Sequence, residues 1–192
     1  MPEWHNAPVD TWVSASGDES VELLIVGLAP GLKGANRTGR PFTGDYAGDL
    51  LYQTLLKFGF AEGIYGRHAG DGLRLSDCAI TNAVRCVPPE NKPTSQEINT
   101  CRPFLKKTIE RFGNLKVILT LGKIAHDSTV RTLGGKLSFV PFGHANVQEV
   151  AEHKLISSYH CSRYNTNTGR LTHEMFEDVF RLVKQQTEPA KS

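Results

Sequence analysis

Four residues of this chain stand where their side chains could do chemistry on a flat, polar ligand. Asp45 is the only carboxylate in the glycine-rich stretch GLAPGLKGANRTGRPFTGD (27–45) and lies at its exit, just before a helix. An aspartate there serves either as a helix N-cap or as a group that positions or deprotonates a water. The two uses coexist only if part of the carboxylate stays free. Phe42, between Pro41 and Thr43, either anchors the loop in the core or offers a face to a planar base. Asn82 closes the apolar run AITNAV; its amide suits the Watson–Crick edge of a pyrimidine, or else it ties a turn. His160, after Tyr159, is either a solvated loop histidine or a donor to a departing base.

The elements that must carry these residues follow from periodicity. Short apolar runs at Val21–Val26, Ala79–Val84, Lys116–Leu121 and Leu155–Ser158 predict strands. Tyr46–Phe58 has Leu50, Leu51, Leu55 and Phe58 at helical spacing, with Gly59 as its stop. A second helix, capped by Thr94 or Ser95 with Glu97 in its first turn, runs to about Phe112. A third spans Ile124–Leu133, and Thr172 caps a last one with Phe176, Val179, Phe180 and Val183 on one face. Strand, loop and helix alternating four times predict a doubly wound α/β sheet, mostly parallel. Loops leaving the C-terminal ends of parallel strands open onto one edge, where such folds bind ligands. Those loops are 27–45, 82–94, 121–124 and 158–170, and they hold all four candidate residues. Residues 1–20 read as an extended lead-in, 21–187 as one domain and 188–192 as a frayed tail.

Composition excludes more than it selects. With 39% apolar and 22% charged residues the 192-residue chain is an ordinary globular protein. No apolar run reaches the roughly 18 residues of a bilayer span, and MPEWHNAPVD is not a signal peptide, so a cytoplasmic protein is expected. The net charge of +2 does not argue for nucleic acid, but its distribution is uneven. Residues 31–44 carry Lys33, Arg37 and Arg40, and residues 153–173 carry Lys154, Arg163, Arg170 and three histidines, with no acid in either segment. Such segments are either solvated loops or phosphate contacts. The loop 27–45 has neither GxxxxGK[ST] nor GxGxxG, which disfavours a nucleotide triphosphatase or a dinucleotide fold. The H-x-E and P-C-x-x-C signature of zinc deaminases is absent as well. Cys78, Cys86, Cys101 and Cys161 include no CxxC pair, so a zinc ribbon is excluded and disulfides are not expected; Cys78 reads as a core residue.

GLAPG (27–31), GANRTGRPFTGD (34–45), ITNAVRCVPPENKPT (80–94) with Cys101, and SYHCSRYNTNTGRLT (158–172) together resemble the uracil-DNA glycosylase superfamily, and within it the type b (family 5) branch. The similarity spans about residues 21 to 180 and implies a three-layer α/β/α sandwich with a short, mostly parallel central sheet. It implies a hydrolase that flips a nucleotide out of DNA and cuts its N-glycosidic bond. The resemblance assigns Phe42 as the stacking ring, Asn82 as the base-reading amide and His160 as the donor to a pyrimidine oxygen. The backbone of Gly27, Leu28, Ala29, Pro30 and Gly31 would line the base site. Ala29 falls where many superfamily members place a water-activating Asp or Asn, and Asp45 is the implied substitute. Arg37, Arg40, Ser162, Arg163, Tyr164, Asn165 and Arg170 would meet DNA, with the loop 161–170 as a minor-groove wedge. Uracil in single- and double-stranded DNA, and deaminated purines such as hypoxanthine, are the implied substrates, taken by a monomer.

The resemblance also implies a [4Fe–4S] cluster on four cysteines, two of them matching Cys86 and Cys101. No cysteine precedes Cys78, so the expectation is an empty or incomplete site and a truncated cluster-binding region before residue 21. Ala29 keeps a rival open, a uracil-binding or damage-sensing module with little turnover. An unrelated nucleotide-binding α/β protein would explain the sheet but not the 158–172 segment.

Overall fold

The computed structural model of the chain describes residues 5–188; residues 1–4 of the expected lead-in and 189–192 of the expected tail lie outside that range. In chain order the elements are β1 (Trp12–Val13), β2 (Leu23–Gly27), α1 (Ala35–Thr38), α2 (Tyr46–Lys57), β3 (Ala61–Glu62), β4 (Arg74–Leu75) and β5 (Cys78–Asn82). Then come α3 (Ser95–Arg111), β6 (Val117–Leu121), α4 (Lys123–Thr132), β7 (Val147–Val150), β8 (His153–Ser158), α5 (Arg163–Asn167) and α6 (His173–Thr187). The long helices start where the side chains predict. The Asp45 carboxylate caps α2, Thr94 and Glu97 close a reciprocal capping box on α3, and Thr172 caps α6. None of the described helices is long and apolar enough to cross a membrane.

Six strands form the main sheet in the order β1-β5-β2-β6-β8-β7. The inner four run parallel, and β1 and β7 close the edges antiparallel. Alternation along the buried strands splits the core in two. Leu23 and Ile25 face Leu51, Leu55, Phe176 and Phe180 of α2 and α6, while Leu24 and Val26 face Leu105, Ile109 and Val130 of α3 and α4. This is the three-layer sandwich expected from the sequence, with the parallel strands covered on both faces.

The structure adds elements that periodicity does not reveal. β1 has two residues, and β7 (VQEV) buries only Val150, so neither forms an apolar run. The segment 61–75, which shows no apolar periodicity, is closed by the β3–β4 hairpin. The segment 161–170 is not loop throughout: Ser162 accepts a hydrogen bond from Asn165 N and starts the single-turn helix α5.

Candidate active site

Parallel register sets the site. Gly27 at the end of β2 pairs with Asn82 at the end of β5, and Leu121 of β6 pairs with Ser158 of β8. The loops leaving β2 and β8, with Asn82 at the end of β5, line a cleft of about 710 Å³ whose walls include Leu28, Ala29, Gly31, Phe42, Asp45, Asn82 and His160. The loop leaving β6 lines a groove of about 310 Å³ next to it, which shares Leu28 and His160. Gly27 itself sits behind the wall. A Cβ there would lie 2.5 Å from Phe42 Cζ and would overlap the Asn82 amide oxygen, so glycine lets ring and amide close onto the strand end. Pro30 is buried and does not line the cleft.

Phe42 holds a left-handed backbone, φ +53°, a conformation that carries about 1–3 kcal/mol of strain in a residue with a Cβ. The neighbouring groups enforce it. The Phe42 ring is 6.1 Å from the His160 ring, centre to centre, with 29° between the planes. Both rings line the cleft and leave its interior open to a planar guest.

Asp45 is cap and wall at once. Its Oδ1 accepts from Gly48 N at 3.1 Å, and its Oδ2 faces the backbone of Gly31 and Gly34, where a Cβ on Gly31 would lie 3.1 Å away. Burial raises its pKa, and the nearby Asp49 adds to the rise against the opposing backbone hydrogen bonds. Burial alone pushes His160 down to about 4, so at neutral pH the imidazole is uncharged. Asn82 is 5% exposed, and its Oδ1 is buried with no hydrogen-bond partner among the described residues. An unpaired buried acceptor costs about 1–3 kcal/mol, which a ligand bearing an N–H donor relieves.

The residues expected to meet DNA divide into three groups. Arg37, Arg163 and Tyr164 are exposed, Tyr164 at 72%, and the Arg163 guanidinium stands 5.2 Å over the Tyr46 ring at the cleft wall. Arg170 lies 4.7 Å over Tyr159 and lines the neighbouring groove, while Ser162 lines the cleft as the cap of α5. Asn165 turns inward: its Nδ2 donates to the His160 carbonyl at 2.8 Å and so braces the histidine. Arg40 corrects the reading from sequence. Its guanidinium is buried, donates to both carboxylate oxygens of Asp71 at 2.8 and 2.7 Å and to Thr43 Oγ1 at 2.7 Å, and packs 4.6 Å from the Trp12 ring. With its donors spent inside the protein, Arg40 is not a phosphate contact. Lys33, named from sequence only for its charge, also lines the cleft, as does Tyr46, which was not singled out as a site residue; only the fold shows on which side of the chain they lie.

For an iron–sulfur cluster the donor set is incomplete. Cys86 is exposed and Cys101 half-buried, both as free thiols, whereas Cys78 and Cys161 are buried in the core beneath α2 and α6. Among the described residues no group of three or more His, Cys, Asp or Glu side chains is arranged to hold a metal. Two thiolates are half of what a [4Fe–4S] cluster requires, so these residues alone do not fit one.

A parallel α/β sheet with a neutral imidazole, a buried carboxylate and an orphaned amide around one edge cleft defines a protein that grips a flat, hydrogen-bonding ring. Comparison with known proteins specifies which. The model of the uracil DNA glycosylase superfamily matches residues 15–184. The type-5 uracil-DNA glycosylase of Thermus thermophilus is 41% identical over 174 residues, covering 90% of this chain and 79% of the relative. That of Mycobacterium bovis is 42% identical over 188 residues, covering 96% and 68%. A type-4 uracil-DNA glycosylase of Sulfurisphaera tokodaii is more distant, at 30% over 178 residues, covering 89% and 74%. The chain belongs to the uracil-DNA glycosylase superfamily, in its type-5 branch.

Proposed function

We propose that the cleft is where this DNA-repair glycosylase hydrolyses the N-glycosidic bond of uracil, with Phe42, Asn82, His160 and Asp45 as its working side chains. The observation that carries the reading is the unpartnered Oδ1 of Asn82, buried in the wall that Phe42, Asp45 and His160 complete. Uracil presents an N–H donor beside a carbonyl acceptor, which an amide matches with its oxygen and its NH₂. Phe42 stacks on the flipped base. As the bond breaks, negative charge moves onto the uracil oxygens and positive charge onto the sugar. The neutral His160 donates its ring N–H to that oxygen, and Asp45 in its ionised form holds the attacking water and faces the cationic sugar. Arg37, Arg163 and Arg170 supply phosphate contacts, and the exposed Tyr164 on α5 stands where a wedge would fill the gap left by the flipped nucleotide.

The same amide supports a wider range. Hypoxanthine also carries an N–H donor beside a carbonyl, whereas adenine and cytosine present the reverse order, so the amide separates hypoxanthine and uracil from the bases they arise from by deamination. The cleft volume admits a purine. All four working side chains come from one chain, which supports action as a monomer, and free thiols fit a reducing cytoplasm. Cys86 and Cys101 are read as half of a cluster-binding set, and no chemical step depends on it.

The test is a labelled oligonucleotide with one uracil, followed by alkali to break abasic sites. Strand breaks with the wild type, and their loss of 100-fold or more in Asn82→Ala, His160→Ala and Asp45→Ala, are expected. Tight, salt-sensitive binding without breaks would instead establish a uracil-sensing module.

A further inference from the structure

We propose that Tyr65, in the segment between β3 and β4 and outside the four stretches first quoted for the resemblance, is a positioning residue for uracil excision. Its hydroxyl holds the turn from Phe42 to Asp45 in the shape that presents both ring and carboxylate to the base. The inference rests on the assignment of Phe42 and Asp45 given above.

Tyr65 does not line the cleft, yet its hydroxyl spans the turn behind it. It accepts from Gly44 N at 3.2 Å and donates to Phe42 O at 3.3 Å. The neighbouring Tyr52 donates from its own hydroxyl to Pro41 O. Three backbone groups around the strained Phe42, Pro41 O, Phe42 O and Gly44 N, therefore end on two phenols, and buried backbone groups need such partners. The phenols are themselves fixed. Their rings lie 4.5 Å apart, and Arg40, clamped by Asp71, stands 4.6 Å from the Trp12 ring, 5.6 Å from Tyr52 and 6.0 Å from Tyr65. The turn has no slack on its other side. A Cβ on Gly48 would overlap the Phe42 carbonyl and lie 2.6 Å from the Tyr65 hydroxyl, so α2 is packed against the same two atoms. Burial raises the Tyr65 pKa above that of a free phenol, so at neutral pH the hydroxyl is a protonated donor. Without the hydroxyl, the left-handed Phe42 loses the bond to its carbonyl and Gly44 loses its acceptor. Both changes fall within three residues of Asp45.

Tyr65→Phe removes one oxygen and keeps the ring stack, and a melting curve checks that it folds. Single-turnover cleavage of uracil-containing DNA at saturating protein is expected to slow about tenfold, because small misplacements of reacting groups cost rate. Binding to uracil-free DNA should stay within about twofold, since no DNA-facing residue changes, and Arg74→Ala in the same hairpin should leave cleavage unaltered. The diagnostic readout is coupling: in a background that carries both Phe42→Ala and Asp45→Asn, followed by its residual cleavage, Tyr65→Phe should add less than about twofold. If Phe42→Ala and Asp45→Asn slow cleavage while Tyr65→Phe does not, the inference falls and the site assignment stands. An equal effect of Tyr65→Phe in both backgrounds also overturns it. If Phe42→Ala and Asp45→Asn cleave normally, the site assignment fails first and the inference goes with it.

Discussion

A single methyl group at Gly34 should separate the chemistry of Asp45 from its structural role. A Cβ built on Gly34 lies 3.0 Å from Asp45 Cγ and 3.1 Å from its Cβ, and it overlaps Oδ2. Carbon atoms rest about 3.5–4.0 Å apart, so in Gly34→Ala the carboxylate must retreat by about 0.5–1 Å. Its other oxygen is tied to Gly48 N at 3.1 Å, which leaves little room to swing without stretching that bond. A displacement near 1 Å is worth about 100-fold in rate, or about 2.7 kcal/mol of barrier. Weakening the cap costs only about 0.5–2 kcal/mol of stability, a loss the fold tolerates. The assay is single-turnover cleavage of a uracil oligonucleotide beside a thermal melt, with Gly113→Ala, where the nearest side-chain atom is 3.9 Å away, as control. The expected pattern is a large loss of rate with a melting point only a few degrees lower. Wild-type cleavage by a folded Gly34→Ala protein would refute the placement of Asp45 at the reacting centre.

Asp45→Asn should abolish most cleavage while its melting point stays at or above that of the wild type, because Asn also caps helices and burial no longer opposes a charge. In a pH–rate profile the acid limb should have its midpoint above the ordinary aspartate value of about 3.9 and should vanish in Asp45→Asn; no inflection from His160 should occur near 6.5, because burial holds it near 4. Asp71→Asn, which strands the Arg40 guanidinium in a pair whose side chains are 6% and 2% exposed, should lower stability by about 3–5 kcal/mol in a denaturant titration. Burial works against the Asp71 charge, but hydrogen bonds from Arg40, Leu73 N and Gly66 N outweigh it and hold the pKa below its ordinary value. The stability this contributes is therefore full above about pH 4 and is lost as pH falls through the depressed folded value. Iron analysis of the 192 residues expressed alone should give well below about four irons per chain, and broad visible absorbance with a full complement would show ligands other than Cys86 and Cys101.

Much of the fold was legible because buried parallel strands read as apolar runs, and helix starts carry their caps in the side chains. Thr94 with Glu97, Thr172 and Asp45 all mark real helix starts. The edge strands were not legible. Val147–Val150 is mostly polar because only Val150 turns to the core, and Trp12–Val13 is too short to show a period. At the site, residue type and loop position sufficed to bring Phe42, Asp45, Asn82 and His160 together. Charge counting failed for Arg40. Its segment lacks an acid, but its counterion, Asp71, arrives from 31 residues away across the β3–β4 excursion, and no local pattern announces that pairing. For Asn165 the sequence carries no sign of its partner: only the fold places the His160 carbonyl 2.8 Å from its amide.

The stretch from Gly34 to Asp45 thus mixes two kinds of residue that sequence presents as one motif. Phe42 and Asp45 face the cleft, whereas Arg40 and Thr43 face backward into the cradle of Trp12, Tyr52 and Asp71. That division explains why the turn tolerates a left-handed phenylalanine. Strain persists only where surrounding contacts over-determine the backbone, and here they come from behind, so the face that meets the base is left free of them. A binding wall held from its rear can keep the Asn82 oxygen unpaired and the Asp45 carboxylate partly buried, because the stability lost at the cleft is offset by the packed ion pair and aromatic rings beneath it. Substitutions in the cradle should therefore reach the reaction through geometry, and those in the cleft should reach it directly.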